Sequence, residues 1–309
     1  MIRQYTDALV QRWNKLLFDR NSRRIRNTRP LPYQADDNIV VASMVGSASL
    51  DMYLIAIKSF MKNFGDARVE AINDGSLSAA DLETLSHHIP GIAIANAVEV
   101  DTHSCPSYSS WKRLFRIVEL SQSAYVVQLD SDIIATAPLA EIYNCARANR
   151  AFMIADGRWR ETVHIDFMAA YAREWPQRHP QAMTERLMQQ LSWFAAGDTY
   201  LRGCAGFAGY PKGSLTVDKV IQLSSEIEAL IGSEVWRDWG SEQTATNCLL
   251  SKTPDPCILP WPRYQNYLFP PDNGNVEATA LIHFIGSTRF EDSTYRILTK
   301  RVIQQLRSD

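Results

Sequence analysis

Short apolar runs alternate with helix-length amphipathic segments from residue 39 onward, and this alternation restricts the fold more than any other feature. Residues 39–43, Ile-Val-Val-Ala-Ser, read as a buried strand. Residues 49–64 place Leu50, Tyr53, Leu54, Ile57 and Phe60/Met61 at spacings of three and four, one face of a helix. Residues 67–73 form a second expected strand, ending in Asn73-Asp74-Gly75, whose residue types favour a turn. Residues 78–87 read as a helix with Ser78 placed to cap it. A third strand is expected at 91–100, a helix at 110–121 and a fourth strand at 125–129. Strands alternating with helices predict an α/β fold with a mainly parallel sheet. Ligands on such sheets bind beyond the carboxyl ends of the strands, so chemistry is expected in the loops that follow these runs.

The second half is less regular. Residues 159–193 are rich in helix formers and aromatics, which predicts a helical insert. Residues 201–210 are strand-like, 220–231 helical and 281–285 a late strand. Residues 253–274 hold six of the 14 prolines together with Trp261, Tyr264, Tyr267 and Phe269. That aromatic content argues for an ordered crossing segment instead of a linker. Trp159, Tyr171, Trp175 and Trp193 read as core packing or as the wall of a ligand groove. His164 and His179 read as structural.

The 309 residues carry a formal net charge of −2, which by itself argues against a dedicated nucleic-acid binder. The charge is unevenly spread. Residues 1–29 hold eight basic and two acidic side chains, so a +6 arm precedes a −8 body. In the arm, Ile2, Tyr5, Leu9, Trp13, Leu16 and Leu17 recur at helical spacing. Such a helix can dock on the body, on a partner such as a second copy, or on an anionic membrane surface. The five cysteines are odd in number and unpaired in spacing, as expected of free thiols in a reducing compartment. No secretory signal and no spanning segment is apparent. The expected location is cytoplasmic, with peripheral contact at the inner face of the membrane.

Two motifs carry chemistry. Residues 125–129 run directly into Asp130-Ser131-Asp132. In an extended chain residues two apart point the same way, so the two carboxylates are expected to converge on one cation. Two carboxylates with open positions suit Mg²⁺ or Mn²⁺. The competing reading is a pair of solvated turn aspartates. The second motif is His283-Phe284-Ile285-Gly286-Ser287-Thr288-Arg289. A histidine on a short apolar strand is ordinarily a satisfied core residue, but a glycine and a basic residue after it suit a loop approaching a diphosphate. Imidazole with two carboxylates makes a plausible Mn²⁺ site.

These two motifs and the strand order resemble the GT-A glycosyltransferases, family eight in particular, the group of glycogenin and the bacterial lipopolysaccharide galactosyltransferases. The resemblance covers roughly residues 39–290 and implies two parts, a basic helical arm at 1–37 and a GT-A catalytic domain at 38–309. It implies that Asp130, Asp132 and His283 hold Mn²⁺ (or Mg²⁺), that Arg289 meets the donor diphosphate, and that Ser131 and Gly286 are donor-binding. Tyr108-Ser109-Ser110-Trp111-Lys112-Arg113-Leu114 resembles the family segment whose arginine contacts the sugar nucleotide, implying Arg113. Asn73-Asp74-Gly75 resembles the turn after the second strand, implying Asp74. Cys204-Ala205-Gly206 stands at the family's Asn-Ser/Ala-Gly segment, implying Gly206. Ser241-Glu242-Gln243-Thr244-Ala245-Thr246-Asn247 resembles the segment beside the donor sugar, implying Glu242 and Gln243. The chain departs from the family at Ser43-Met44-Val45-Gly46, at Cys204, and in lacking the tryptophan that often closes the late loop.

The expected activity is transfer of a sugar from a nucleotide-diphosphate donor, a UDP-sugar, to a glycan or glycolipid in polysaccharide biosynthesis. Retention is the expected outcome, by front-face attack assisted by the leaving phosphate; inversion would need Glu242 or another carboxylate as base. The alternative is a catalytically silent member that binds a sugar nucleotide or a partner. A nucleotidyltransferase ranks lower, because it would need a basic Gly-rich loop after the first strand.

Overall fold

The apolar runs become strands because both faces of the sheet they form are covered. The computed structural model describes residues 2–32, 38–267, 275–286 and 288–308. An arm helix, α1 (Ile2–Ser22), and a 3-10 turn (Arg23–Asn27) come first. The body begins with β1 (Ile39–Val45), α2 (Leu50–Phe64), β2 (Arg68–Asn73), α3 (Ala79–His88) and β3 (Ala93–Asn96). It continues through α4 (Ser109–Ser121), β4 (Tyr125–Leu129), β5 (Ile133–Ala135), α5 (Ala140–Arg147) and β6 (Phe152–Ile154). An insert follows, with β7 (Val163–His164), α6 (Ile165–Ala172), α7 (Pro180–Leu187) and β8 (Thr199–Tyr200). β9 (Cys204–Tyr210), α8 (Val217–Ile231), α9 (Ser233–Trp236) and α10 (Ser241–Ser251) come next. β10 (Cys257–Ile258), β11 (Tyr264–Asn266), β12 (Leu281–His283) and α11 (Thr294–Ser308) complete the order.

Seven strands form the main sheet in the order β10-β6-β9-β4-β1-β2-β3. β1 pairs in parallel with β2 and β4, β2 with β3, and β10 with β6, while β9 runs antiparallel between β4 and β6. Alternate residues of β1 feed two cores, Ile39, Val41 and Val45 on one face and Val40 and Ala42 on the other. A strand buried on both faces reads as a continuous apolar run, which is why periodicity of two is absent. The mainly parallel α/β architecture expected from the alternation is the one observed.

A smaller sheet, β11-β12-β5, abuts the carboxyl end of β4. β12 is antiparallel to β5 and sets His283 opposite Ile133. The chain thus leaves the large sheet at Leu129, turns through Asp130-Ser131-Asp132 and enters the small sheet at Ile133. This corrects the reason for the aspartates' convergence: they meet through a turn between two sheets, not through strand alternation.

Other expectations shift at their edges. The strand at 91–100 shrinks to β3, because Gly91 has φ +81° and the chain coils into a 3-10 turn (Ala97–Glu99) that leaves Val98 exposed. The late strand ends at His283 instead of 285. The proline-rich segment contributes β10 and β11, and its residues 268–274 lie outside the described residues.

The expected apolar face of α1 is not the face it buries. Leu9, Val10, Trp13 and Leu16 are exposed, whereas Asn14 and Phe18 are buried. The rings of Phe18 and Tyr295 of α11 stack at 4.4 Å, and Phe290 lies 5.4 Å from Phe18. Behind the arm, the buried Lys58 ammonium donates to Thr28 Oγ1 (2.9 Å) and to the Arg29 carbonyl (2.6 Å) and lies 2.9 Å from His88 Nδ1. Burial lowers the Lys58 pKa to about 8 and, with the Lys58 charge beside it, the His88 pKa to about 4, which leaves the imidazole neutral to accept. Among the described residues, no helix is long and apolar enough to cross a membrane.

Candidate active site

A cavity of about 450 Å³ opens where β4, β9, β12 and the starts of α4 and α10 meet. The two helix starts are stitched together. The Glu242 amide donates to the Tyr108 hydroxyl (3.1 Å), Tyr108 shares a hydrogen bond with Ser241 (3.0 Å), and Trp111 Nε1 donates to Ser241 Oγ (2.9 Å). α10 begins after Gly240, whose φ of +93° favours glycine and whose Cβ would stand 2.6 Å from His179 Nε2. This seam brings the buried Arg113 against two carboxylates. Its Nη1 reaches Asp130 Oδ1 at 2.5 Å and its Nη2 reaches Glu242 Oε1 at 3.3 Å.

Asp130, Asp132 and His283 come together at the turn between the sheets, each offering a ligand atom within 4.8 Å of the others. Backbone bonds hold them there: the Asp130 amide donates to the Gly206 carbonyl (2.9 Å) and the Phe284 amide to the Asp132 carbonyl (2.9 Å). His283 Nδ1 lies 2.9 Å from Asn266 Oδ1, which accepts its proton and leaves Nε2 facing Asp132 Oδ1 at 3.2 Å. That Oδ1 is buried and accepts no hydrogen bond. An imidazole anchored at Nδ1, whose Nε2 proton a cation would displace, beside an unsatisfied carboxylate oxygen, is a donor set a divalent cation fits. Gly206 makes the approach feasible, since a Cβ there would lie 2.3 Å from His283 Cε1.

The charges are strongly interdependent. Burial opposes ionisation of Asp132, but His283 and Arg289 outweigh it and hold its pKa below the ordinary value. Burial raises the pKa of Asp130 despite Arg113, and the Asp132 charge adds to the rise. His283 would lose its proton through burial, yet Cys204 and Asp132 hold its pKa well above the ordinary range. Burial, with help from Asp130 and against Arg113, pushes Glu242 up to about 7.

Arg289 Nη2 meets Asp132 Oδ2 at 3.0 Å, and a Cβ on Gly286 would fall 2.8 Å from that same Nη2. Gln243 is held at both ends of its amide, donating to Gln181 Oε1 (3.1 Å) and accepting from the Ala205 amide (3.4 Å). Of the sequence candidates, Arg113, Asp130, Asp132, Gly206, Glu242, Gln243, His283, Gly286 and Arg289 line the cavity. Ser131 and Asp74 are not among its lining residues. Ser131 Oγ lies 4.0 Å from Met52 Sδ, and Asp74 Oδ1 accepts from the Ser76 amide and hydroxyl beside Gly46.

Sequence reasoning missed several neighbours. Cys204 Sγ lies 3.6 Å from His283 Nδ1, a pairing across 79 positions that no spacing announces. Asn266, which orients His283, sits in the proline-rich segment and carries no motif. His179, expected to be structural, and Trp239 both line the cavity, as do Gln181 and Arg202.

The mainly parallel seven-stranded sheet, with an Asp-x-Asp turn leading into a second small sheet, is the fold of the GT-A glycosyltransferases. Among solved structures, the chain is similar to the apo form of the bifunctional glycosyltransferase WbbM, with a TM-score of 0.51 and 16% identity over 91% of this chain. It spans about half of that protein, 53%. It is also similar to the galactosyltransferase LgtC in complex with donor and acceptor sugar analogues, with a TM-score of 0.51 and 13% identity over 87% of this chain and 95% of that one. No protein-family model and no curated protein matches the sequence.

Proposed function

We propose that the chain is a divalent-cation-dependent hexosyltransferase that moves a sugar from a nucleoside-diphosphate donor, a UDP-sugar, to a hydroxyl of a glycan or glycolipid in polysaccharide biosynthesis. The observation that carries this reading is the convergence of Asp130, Asp132 and His283 in a cavity that also takes in Arg113, Arg289 and Glu242. The likeness to LgtC, solved with donor and acceptor sugar analogues, supports binding of both a donor and an acceptor sugar.

Asp130, Asp132 and His283 would hold the ion, and the imidazole nitrogen among oxygens favours Mn²⁺ over Mg²⁺. When bound, the ion neutralises negative charge on the departing diphosphate. The remaining work falls to side chains of this chain. Arg289 is assigned to the leaving phosphate, where charge develops, because a preorganised, partly buried cation acts more strongly than one in water. Gly286 gives its guanidinium room, Ser131 spaces the two aspartates, and Asp74 and Gly206 are assigned to the donor on either side of them. Arg113 fixes Asp130 and Glu242 together. The anomeric carbon becomes oxocarbenium-like, as in glycoside hydrolysis. Gln243, clamped by Gln181 and Ala205, presents its amide there, with the buried Glu242 carboxyl beside it. The Arg113 contact occupies one Glu242 oxygen, which supports retention without a dedicated base over inversion through Glu242.

Exposed Leu9, Val10, Trp13 and Leu16, flanked by Arg12, Lys15 and Arg20, support peripheral contact of the arm with an anionic membrane. That surface is the cytoplasmic face, where a glycolipid acceptor would sit. A nucleotide-sugar panel incubated with the protein and Mn²⁺, read by mass spectrometry, tests the activity. One donor should be hydrolysed. A panel left intact by a protein that binds UDP would instead favour a silent sugar-nucleotide binder, the reading to which Ser43-Met44-Val45-Gly46 and Cys204 point.

A further inference from the structure

Arg202 lines the same cavity but belongs to none of the groups above. It precedes Gly206 by four residues, just before the start of β9. Three neighbours fix its guanidinium. Nε donates to Oε1 of Glu185 at 3.0 Å, and the planar head lies 4.8 Å from the Trp159 ring and 5.0 Å from the Trp175 ring. Glu185 is wholly buried, and Gln181 (2.8 Å) and Tyr200 (3.2 Å) also donate to its Oε1. Gln181 is the residue that clamps Gln243. Among the described residues, Nη1 and Nη2 of Arg202 have no hydrogen-bond partner, and they are not sealed from solvent.

A guanidinium held at one edge by Glu185 and lying over two indole rings, with its outer fork open to a cavity, is preorganised for a planar or tetrahedral anion taken in two parallel hydrogen bonds. The ordering of a long side chain, normally a cost of binding, is already met here by Glu185 and the tryptophans. The exposed ring of Trp239, elsewhere on the cavity wall, offers an apolar face to a sugar. A neutral sugar needs hydroxyl partners; it does not need a stacked, carboxylate-anchored arginine.

Resting on the reading of the cavity as a sugar-nucleotide site, we propose that Arg202 is a specificity-determining residue for an acidic acceptor sugar, one bearing a carboxylate or phosphate group. The donor diphosphate engages the Asp130, Asp132 and His283 end, and the acceptor lies against Arg202 with its anion in the Nη fork.

The test uses the full chain saturated with UDP and Mn²⁺, titrated with glucuronate, glucose 6-phosphate and glucose while tryptophan indole signals are followed by NMR. Wild type should bind at least one of the two anionic sugars about 10-fold or more tightly than glucose, the size expected of hydrogen bonds to a charged group. Preference for glucuronate identifies a carboxylate, preference for glucose 6-phosphate a phosphate. Arg202→Gln should abolish the preference, and Arg202→Lys should keep only part of it, since an ammonium lacks the fork. Because Arg202→Gln leaves Glu185 buried without its cation, the Arg202→Gln/Glu185→Gln double variant is measured beside it. Equal binding of the three sugars to wild type, or a preference that survives in either Gln variant, overturns the proposal. Failure of UDP and Mn²⁺ to bind at the start would overturn the underlying glycosyltransferase reading instead.

Discussion

Gly206→Ala is a one-carbon probe of the cation site. A Cβ at position 206 would stand 2.3 Å from Cε1, 2.7 Å from Nε2 and 3.0 Å from Nδ1 of His283. Carbon contacts settle near 3.5 Å, so the imidazole must retreat by about 1 Å. It is held by Asn266 at 2.9 Å and faces Asp132 at 3.2 Å, so retreat breaks the arrangement that aims Nε2. Metal–ligand distances tolerate only about 0.2 Å. Loss of an outer partner of a metal ligand costs about 10–100-fold in affinity, and displacement of the ligand itself should cost at least the upper end of that range. The packing strain should destabilise the fold by about 1–3 kcal/mol, which a globular domain survives. Titration of Mn²⁺ followed by electron paramagnetic resonance, with thermal melting as the check on folding, should show a folded variant with at least about 100-fold weaker Mn²⁺ binding. A folded Gly206→Ala protein that retains wild-type Mn²⁺ affinity would refute the reasoning.

Two further outcomes are expected. Glu242 has its pKa raised from 4.5 to about 7, so the folded state keeps a proton that the unfolded chain releases. Stability should therefore fall as pH rises from 4.5 toward about 7 and then level, and Glu242→Gln should lose this slope in melts taken across that window. For the arm, Leu9→Gln/Trp13→Gln/Leu16→Gln alters only exposed side chains and should change stability by less than about 0.5 kcal/mol per site. Co-sedimentation with phosphatidylserine vesicles should be lost in this variant while wild type pellets; a wild type that stays in the supernatant would remove the membrane assignment.

The succession β1 to β4 was legible because local apolar runs and helix spacings are written in consecutive residues. The Asp-x-Asp and late histidine were legible as residue types, but their meeting is a property of two sheets joined at Ile133, which no local pattern carries. The arm shows the opposite failure. Its stripe of Leu9, Trp13 and Leu16 is the more apolar face, yet Phe18 decides the docking through Tyr295 and Phe290, at the other end of the chain. α11 was missed although Tyr295, Leu298, Thr299, Val302 and Ile303 recur at helical spacing, so the signal was present. The Glu185, Gln181 and Gln243 chain was not readable at all, since two of its members lie on α7 and the third on α10.

The measurement closest to the central claim is isothermal calorimetry of UDP with wild type and with Asp132→Ala, each with and without Mn²⁺. Asp132 is the residue that faces both His283 (3.2 Å) and Arg289 (3.0 Å). Wild type should bind UDP markedly more tightly when Mn²⁺ is present, and a folded Asp132→Ala protein should show no such enhancement. Mn²⁺-independent UDP binding by wild type, or an enhancement of equal size in the variant, would contradict a cation held by Asp130, Asp132 and His283.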